Sequence, residues 1–232
     1  IRFAQTWHTF THSLRRRYVY RQVMNNKSIE QYLETISDFD KKLIKTTGKI
    51  TRANNGAMYQ MDLFSLAVVN RSLELSKGFE SMIKAELFLC AAPLLRLQLD
   101  NLLRYSALWL IEDPDAVCLE VLGGKPIRKI KDKSGKKMTD AHLVSVLSKE
   151  IDWISPVYEK TCGYVHFSES HLHKTLLSAN GGKVEVGIGD KAKPVPDSAL
   201  KEACAAYQAI TIELLSYLEG WLQRKQSYEK YT

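Results

Sequence analysis

Residues 58–111, MYQMDLFSLAVVNRSLELSKGFESMIKAELFLCAAPLLRLQLDNLLRYSALWLI, set the architecture. The stretch is dominated by Leu, Met, Ala, Glu and other residues that lose little rotamer freedom in a helix. Only Gly78 and Pro93 interrupt it strongly. These interruptions predict three helices, over about 57–77, 79–90 and 92–112. Pro93 then sits in the first turn of the third helix, where its missing N–H costs nothing, and Asp113-Pro114 ends that helix. Apolar residues cover nearly every face, which places these helices at the centre of a multi-helix bundle.

Upstream, Ser28 and Gln31 have the spacing of a capping box and predict a helix from there to about Thr47, with Gly48 as its stop. Its buried side is read as Ile29, Leu33, Ile36, Leu43 and Ile44, and Asn54-Asn55-Gly56 as a loop. Downstream, GGKPIRKIKDKSGKKM at 123–138 reads as a loop or small hairpin with a turn at Asp132-Lys133-Ser134-Gly135. Thr139 caps a helix to about Lys149, and Ser155-Pro156 opens another that reaches His166. Asn180-Gly181-Gly182, flanked by Val184, Val186 and Ile188 at period two, marks a β-hairpin near 175–189. Asp197-Ser198 caps a last helix to about Lys225, with a core stripe of Leu200, Cys204, Tyr207, Leu214, Leu218 and Trp221. The expected fold is therefore mainly α, a multi-helix bundle with one small β-hairpin. Without an internal repeat or a Ser/Gly-rich linker, residues 28–232 read as one domain behind a basic arm, residues 1–27.

The chain has 232 residues, 45% of them apolar and 25% charged, enough to bury a sizeable core, which excludes low-complexity disorder. With 12 Gly, 6 Pro and 4 Cys, collagen-like and disulfide-scaffold classes are excluded as well. Cys90, Cys118, Cys162 and Cys204 are widely spaced and form no CxxC pair, so they read as buried thiols of a reducing, cytoplasmic protein. No uncharged apolar run is long enough to cross a bilayer, since the run from Leu87 stops at Arg96. Residues 1–24 carry no secretory-signal pattern.

Charge is unevenly placed. Residues 1–27 hold Arg2, Arg15, Arg16, Arg17, Arg21 and Lys27 and no acid; residues 125–138 hold Lys125, Arg128, Lys129, Lys131, Lys133, Lys136 and Lys137 against Asp132 alone. Together these stretches exceed the +7 of the whole chain, so the remainder is mildly acidic. Such appendages attract phosphate polyanions, anionic lipid or an acidic protein surface, or are solvated loops. Phe3, Trp7, Phe10, Leu14 and Tyr18 make an apolar helical stripe with the arginines mostly off it. That pattern suits packing on this chain or a second subunit, nucleic-acid binding, or contact of residues 1–24 with a membrane surface.

Two polar clusters stand in apolar surroundings. Arg96, Asp100 and Arg104, at i, i+4 and i+8, share one helix face, and Asp100 is placed to pair with both arginines. The surplus positive charge suits a phosphate or carboxylate; the alternative is that the triad ties helices together. The second cluster is Val157 to His173. Tyr158, Thr161 and Val165 share a face, Lys160 and Tyr164 another, and His166, His171 and His173 follow. Their spacing lacks HExxH, so neither a metal site nor a cofactor is expected. His166 with His171, held near Tyr158, reads as a titratable pair for acid–base work on a ribose hydroxyl or phosphodiester. The alternative is that His166 caps a helix C-terminus. Walker, GxSxG and complete dinucleotide-binding glycine motifs are missing, which disfavours P-loop hydrolysis and hydride transfer.

Asn70-Arg71-Ser72, the run from Ala91 to Asn101, Lys129 to Asp140, and Val157 to His166 with Ser168 and His171 resemble a group of uncharacterised bacterial proteins over about residues 62–175. More distantly, the helical bundle resembles the HEPN superfamily. Many of its members are metal-independent ribonucleases of toxin–antitoxin and phage-defence systems, often dimeric. The nuclease motif of that superfamily is an Arg, usually a polar residue next, and a His four to six residues on. Here Lys160 and Thr161 precede His166 with five intervening residues, and Lys replaces Arg, giving a point charge without a bidentate grip. The resemblance implies an RNA-binding protein or a metal-independent ribonuclease in defence or stress response, forming a homodimer. His166 would be acid or base. Lys160, Arg96 and Arg104, with Asp100 between the arginines, would hold phosphate, and Tyr158 and His171 would orient it. Arg15, Arg16, Arg17, Lys129, Lys131, Lys136 and Lys137 would track the RNA backbone. Two alternatives stay open: a non-catalytic homo-oligomerising interaction module, and a binder of a small anionic ligand at the arginine stripe.

Overall fold

A computed structural model describes residues 27–228. The expectations for residues 1–26, the amphipathic stripe and Arg15, Arg16 and Arg17 among them, lie outside the described residues. Eight helices follow in order: α1 (Ile29–Arg52), α2 (Gln60–Lys84), α3 (Phe88–Ala107), α4 (Pro114–Leu122), α5 (Asp140–Leu147), α6 (Ile154–Val165), α7 (Glu169–Thr175) and α8 (Asp197–Tyr228). Between α7 and α8 lies one antiparallel hairpin of β1 (Leu176–Asn180) and β2 (Lys183–Val186). The described residues are thus mainly α with a single small hairpin. No helix among the described residues is long and apolar enough to cross a membrane.

Helix α3 is the axis of the bundle, packing against α2, α8, α6 and α5, while α1 packs on α8 and α2. Its Ala91, Ala92, Leu95, Leu99, Leu102, Leu103 and Tyr105 join the main buried cluster. The Ser28–Gln31 capping box starts α1: the Gln31 N–H donates to Ser28 Oγ at 3.3 Å and the Ser28 N–H to Gln31 Oε1 at 2.9 Å. The two-residue hairpin turn uses Gly181 and Gly182 at φ +56° and +75°, a conformation costly for any residue with a Cβ.

Several helix boundaries differ from the sequence expectation. Helix α2 runs straight through Gly78, because that glycine serves contact rather than interruption: a Cβ there would meet Leu94 Cδ1 of α3 at 3.3 Å. The break comes at Glu86, which takes φ +57°. Its N–H donates to the Ile83 carbonyl at 3.0 Å and that of Leu87 to the Met82 carbonyl at 2.8 Å, a Schellman closure. Helix α3 consequently starts at Phe88 and carries Pro93 in its second turn, with one helical hydrogen bond missing. Helix α1 likewise passes Gly48 to end at Arg52, and Ile44 points to solvent, 56% exposed, instead of into the core. Asp113-Pro114 ends the preceding segment and also starts α4, unforeseen in the sequence, with Asp113 Oδ1 accepting from the Ala116 N–H at 3.0 Å. Helix α7 was also not anticipated. Of the cysteines, Cys118 and Cys204 are buried but Cys90 is exposed.

One ion pair lies wholly inside. Lys225 Nζ, near the end of α8, donates to Asp62 Oδ2 in the first turn of α2 at 2.8 Å, with both side chains 0% exposed. It also donates to the Ile50 carbonyl of α1 at 2.7 Å, and Asp62 Oδ1 accepts from Trp221 Nε1 at 2.8 Å. Replacing Lys225 with Met strands the carboxylate; the expected loss is about 3–5 kcal/mol of unfolding free energy, measured by chemical denaturation. At the α2–α3 turn the opposite sign is expected. Glu86→Gly relieves the left-handed backbone and stabilises by about 0.5–1 kcal/mol in the same measurement, whereas Glu86→Ala gives no gain.

Candidate functional site

The polar face of α3 meets α5 and α6. Arg96 is nearly buried, and its Nη2 donates to Asp140 Oδ2, in the first turn of α5, at 2.9 Å. Its guanidinium carbon Cζ lies over the Tyr158 ring of α6, 4.4 Å from the centroid. Arg104 Nη2 reaches the other oxygen of Asp140, its Nη1 donates to the Met138 carbonyl at 3.3 Å, and its Nε lies 3.1 Å from Asp100 Oδ1. Arg71 of α2 closes the row, donating to Asp100 Oδ2 at 3.1 Å. Asp100 therefore pairs with Arg104 and Arg71 rather than with Arg96, because Asp140 takes Arg96 across the helix interface. Three guanidiniums against two carboxylates leave the row with one surplus positive charge. Burial works to raise the Asp140 pKa, but Arg104 and Arg96 outweigh it and hold the carboxyl below its ordinary value. Burial pushes the Tyr158 hydroxyl up. Arg71 and Asp140 carry no site role in the sequence reading, where they stand only within the runs of the family resemblance: each is brought to the row by tertiary packing, and no spacing announces it.

Next to this row stands the basic loop. Lys125, Arg128, Lys129, Lys131, Lys133, Lys136 and Lys137 are all exposed, while Ile127, Ile130 and Met138 are buried and hold the loop to the core. A bridge pairs Lys131 with Lys137, and the Lys133 N–H donates to the Leu110 carbonyl at 3.0 Å. Asp132, the single acid of the stretch, organises the tip. Its Oδ1 accepts from the Ser134 N–H (2.9 Å), the Ser134 hydroxyl (2.7 Å) and the Lys136 N–H (3.0 Å). Its Oδ2 lies 2.7 Å from His142 Nε2. Burial would raise the Asp132 pKa, but the Ser134, His142 and Lys136 hydrogen bonds hold it at about 2.

The residues expected to act as acid, base and phosphate holder do not gather at the arginine row, apart from Tyr158. Lys160 points away from Tyr158, and its ammonium meets Glu202 Oε2 of α8 at 2.6 Å. Two positions along a helix turn the side chain by about 200°, so Tyr158 and Lys160 occupy opposite faces. His166 is the C-terminal cap residue of α6, its backbone N–H donating to the Cys162 carbonyl at 3.2 Å, and its side chain is exposed. His171 is spent on local structure: its Nδ1 accepts from the Ser168 N–H at 3.2 Å in the capping box of α7, and its ring stacks on Phe167 at 5.2 Å. Among the described residues, no three His, Cys, Asp or Glu side chains group to hold a metal ion. Compared with known proteins, the chain matches no family model, no curated protein and no solved structure.

The hydrogen bonds of Asp132 make the loop acid-sensitive. A depressed carboxyl pKa contributes stability that is full above about pH 4 and fades as pH falls through the folded value near 2. Asp132→Ala is expected to cost about 1–2 kcal/mol at neutral pH, with the deficit narrowing toward pH 2, as followed by denaturant unfolding across pH. Amide exchange of residues 131–138 rises in the variant at neutral pH.

Proposed function

We propose that the protein binds RNA through its phosphate backbone, using the 125–137 loop and the Arg71–Arg96–Arg104 row as one electropositive surface. The observation that carries this reading is the anchoring of the loop. Seven exposed cations are displayed by a segment fixed through Ile127, Ile130, Met138 and Asp132. A solvated tail of equal charge would lose conformational entropy on meeting a polyanion, and this loop loses little. The partly exposed guanidiniums of Arg71 and Arg104 beside it suit phosphate oxygens, for which the planar Arg fork is well shaped. Lys129, Lys131, Lys136 and Lys137 are read as the backbone contacts, without base readout and hence without strong sequence preference.

Binding without cleavage is the form the geometry favours. Lys160, though exposed, is ion-paired with Glu202, and His171 is engaged in the capping box of α7, so neither stands beside the exposed His166 imidazole as a free partner. A different surface favours the second reading, a homo-oligomerising module: Phe167 and Ile188 are 80% exposed and Val184 65%, around a hairpin whose strands are exposed along their length.

The test is RNA affinity as a function of salt. Wild-type protein is expected to bind single-stranded RNA with affinity falling steeply as salt rises. The Lys129→Ala/Lys131→Ala/Lys136→Ala/Lys137→Ala variant is expected to flatten the log–log slope by about 3, at roughly 0.7 per phosphate contact on single strands. An unchanged slope overturns the reading. Shortening of the RNA in the presence of chelator, abolished by His166→Ala, would transfer the assignment to the ribonuclease form.

A further inference from the structure

Every residue of β1 and β2 is exposed, on both faces of the hairpin. The register sets Leu176 opposite Val186 and Ala179 opposite Val184, with Ser178 opposite Glu185 and Asn180 opposite Lys183. Cross-strand partners share a face and successive residues change face. Leu176, Ala179, Val184 and Val186 therefore make one side apolar, and the other side is polar. A two-stranded ribbon with an uncovered apolar face is marginal by itself in water. The sheet has two strands only among the described residues, so each outer edge presents N–H and C=O groups that no neighbouring strand takes up. The two edges are not equivalent. Strand β1 carries a bulge between Leu176 and Ser178, a device that twists an edge away from further pairing, and β2 carries no extra residue. Just past β2, the Gly187 N–H donates inward to the Thr175 carbonyl at 2.9 Å. Backbone groups alternate in direction along a strand, so those of Val184 and Val186 point outward, to the open edge.

We propose that β2 pairs antiparallel with β2 of a second copy of this chain, about a two-fold axis at Val184, joining two hairpins into one four-stranded sheet. Charge is the first argument. An axis at Val184 sets Lys183 opposite the partner's Glu185, and Glu185 opposite the partner's Lys183, both on the polar face. Moving the axis by one residue either way sets Lys183 or Glu185 against its own copy. The edge is thus self-complementary in one register, as a two-fold contact requires, and this favours a second copy over an unrelated strand. Hydrogen bonding is the second argument. Val184 lies on the axis with its N–H and C=O turned outward, so it exchanges both bonds with its own copy. The apolar side is the third. Val184 meets the partner's Val184 across the axis, with Cα atoms about 5.5 Å apart as in any hydrogen-bonded pair, and the two apolar faces become continuous. The inference rests on the self-association reading and is independent of RNA binding, since the 125–137 loop takes no part in it.

Sedimentation velocity of the full chain over a concentration series, at low salt, tests it. The wild type is expected to pass from monomer to dimer as concentration rises. Glu185→Lys sets lysine against lysine at both pairs and is expected to weaken dimerisation about tenfold, and Lys183→Glu does the same with two acids. The swap Lys183→Glu/Glu185→Lys restores wild-type dimerisation. An equimolar mixture of the two single variants associates more tightly than either alone. Val184→Pro removes an outward N–H and no bond of the hairpin, and it abolishes the dimer. All three positions are exposed, and an unchanged melting temperature shows that each variant is folded. A dimer indifferent to charge reversal and to the proline overturns the β2 assignment while leaving self-association standing. A chain still monomeric at about 0.5 mM overturns both.

Discussion

The bundle depends on a charge that it removes from water. Lys225 and Asp62 have no solvent contact, and an unpaired ion there would cost several kcal/mol. Three helices meet to prevent this: α1 gives the Ile50 carbonyl, α2 gives Asp62, and α8 gives Lys225 and Trp221. Asp62 also accepts from the Tyr59 N–H at 2.9 Å, so the residue that holds α8 closes the first turn of α2. Apolar helix faces of Leu, Ile and Val tolerate slippage along one another, because one aliphatic contact resembles the next. A satisfied buried pair does not, since a shift by one turn would leave a charge and an indole N–H without partners. The pair therefore acts chiefly on register.

That register is repeated one layer in. Gln98 Nε2 donates to Ser72 Oγ of α2 at 2.7 Å and to Thr211 Oγ1 of α8 at 3.2 Å, and Asn101 Nδ2 donates to the Val68 carbonyl at 2.9 Å. Gln98 lies on the side of α3 opposite to Arg96, Asp100 and Arg104, and Asn101 on the flank between them. Fixing one side of a helix rotationally fixes the other. The arginine row is thus turned toward α5 and α6, where Asp140 and Tyr158 receive Arg96.

This explains what was legible in the sequence and what was not. Helical periodicity is local, so the helical class, the central place of residues 58–111 and the hairpin at Asn180-Gly181-Gly182 could be read directly. Breaks were less legible because Gly has two uses: Gly78 admits Leu94, while the left-handed turn falls to Glu86, a residue type that carries no such signal. The row of Arg96, Asp100 and Arg104 was visible as a row, but its pairings depend on Arg71 and Asp140, 29 and 44 residues away from their partners. The cluster from Tyr158 to His171 shows the converse. Residues dense in sequence were dispersed in space, because α6 ends at Val165 and the chain turns at His166 before α7 begins. Lys225 was near the end of an expected helix but drew no attention, since a lysine there ordinarily favours the helix dipole from the surface.

The basic loop shows why a single acid among many lysines has more consequence than its charge. Seven like charges within 14 residues repel, and in an unstructured segment they would spread. Asp132 does little to neutralise them. What it does is collect two backbone N–H groups and a hydroxyl at one oxygen and the His142 imidazole at the other. The turn it stabilises lets Lys131 and Lys137 lie across from one another in a bridge and returns the chain so that Met138 can bury. Repulsion among the lysines is thereby borne by the fold rather than relieved by motion, and the stored potential is available to any polyanion that approaches. Counterions released from such an anion are the entropic gain of the encounter, and a loop already ordered keeps more of it.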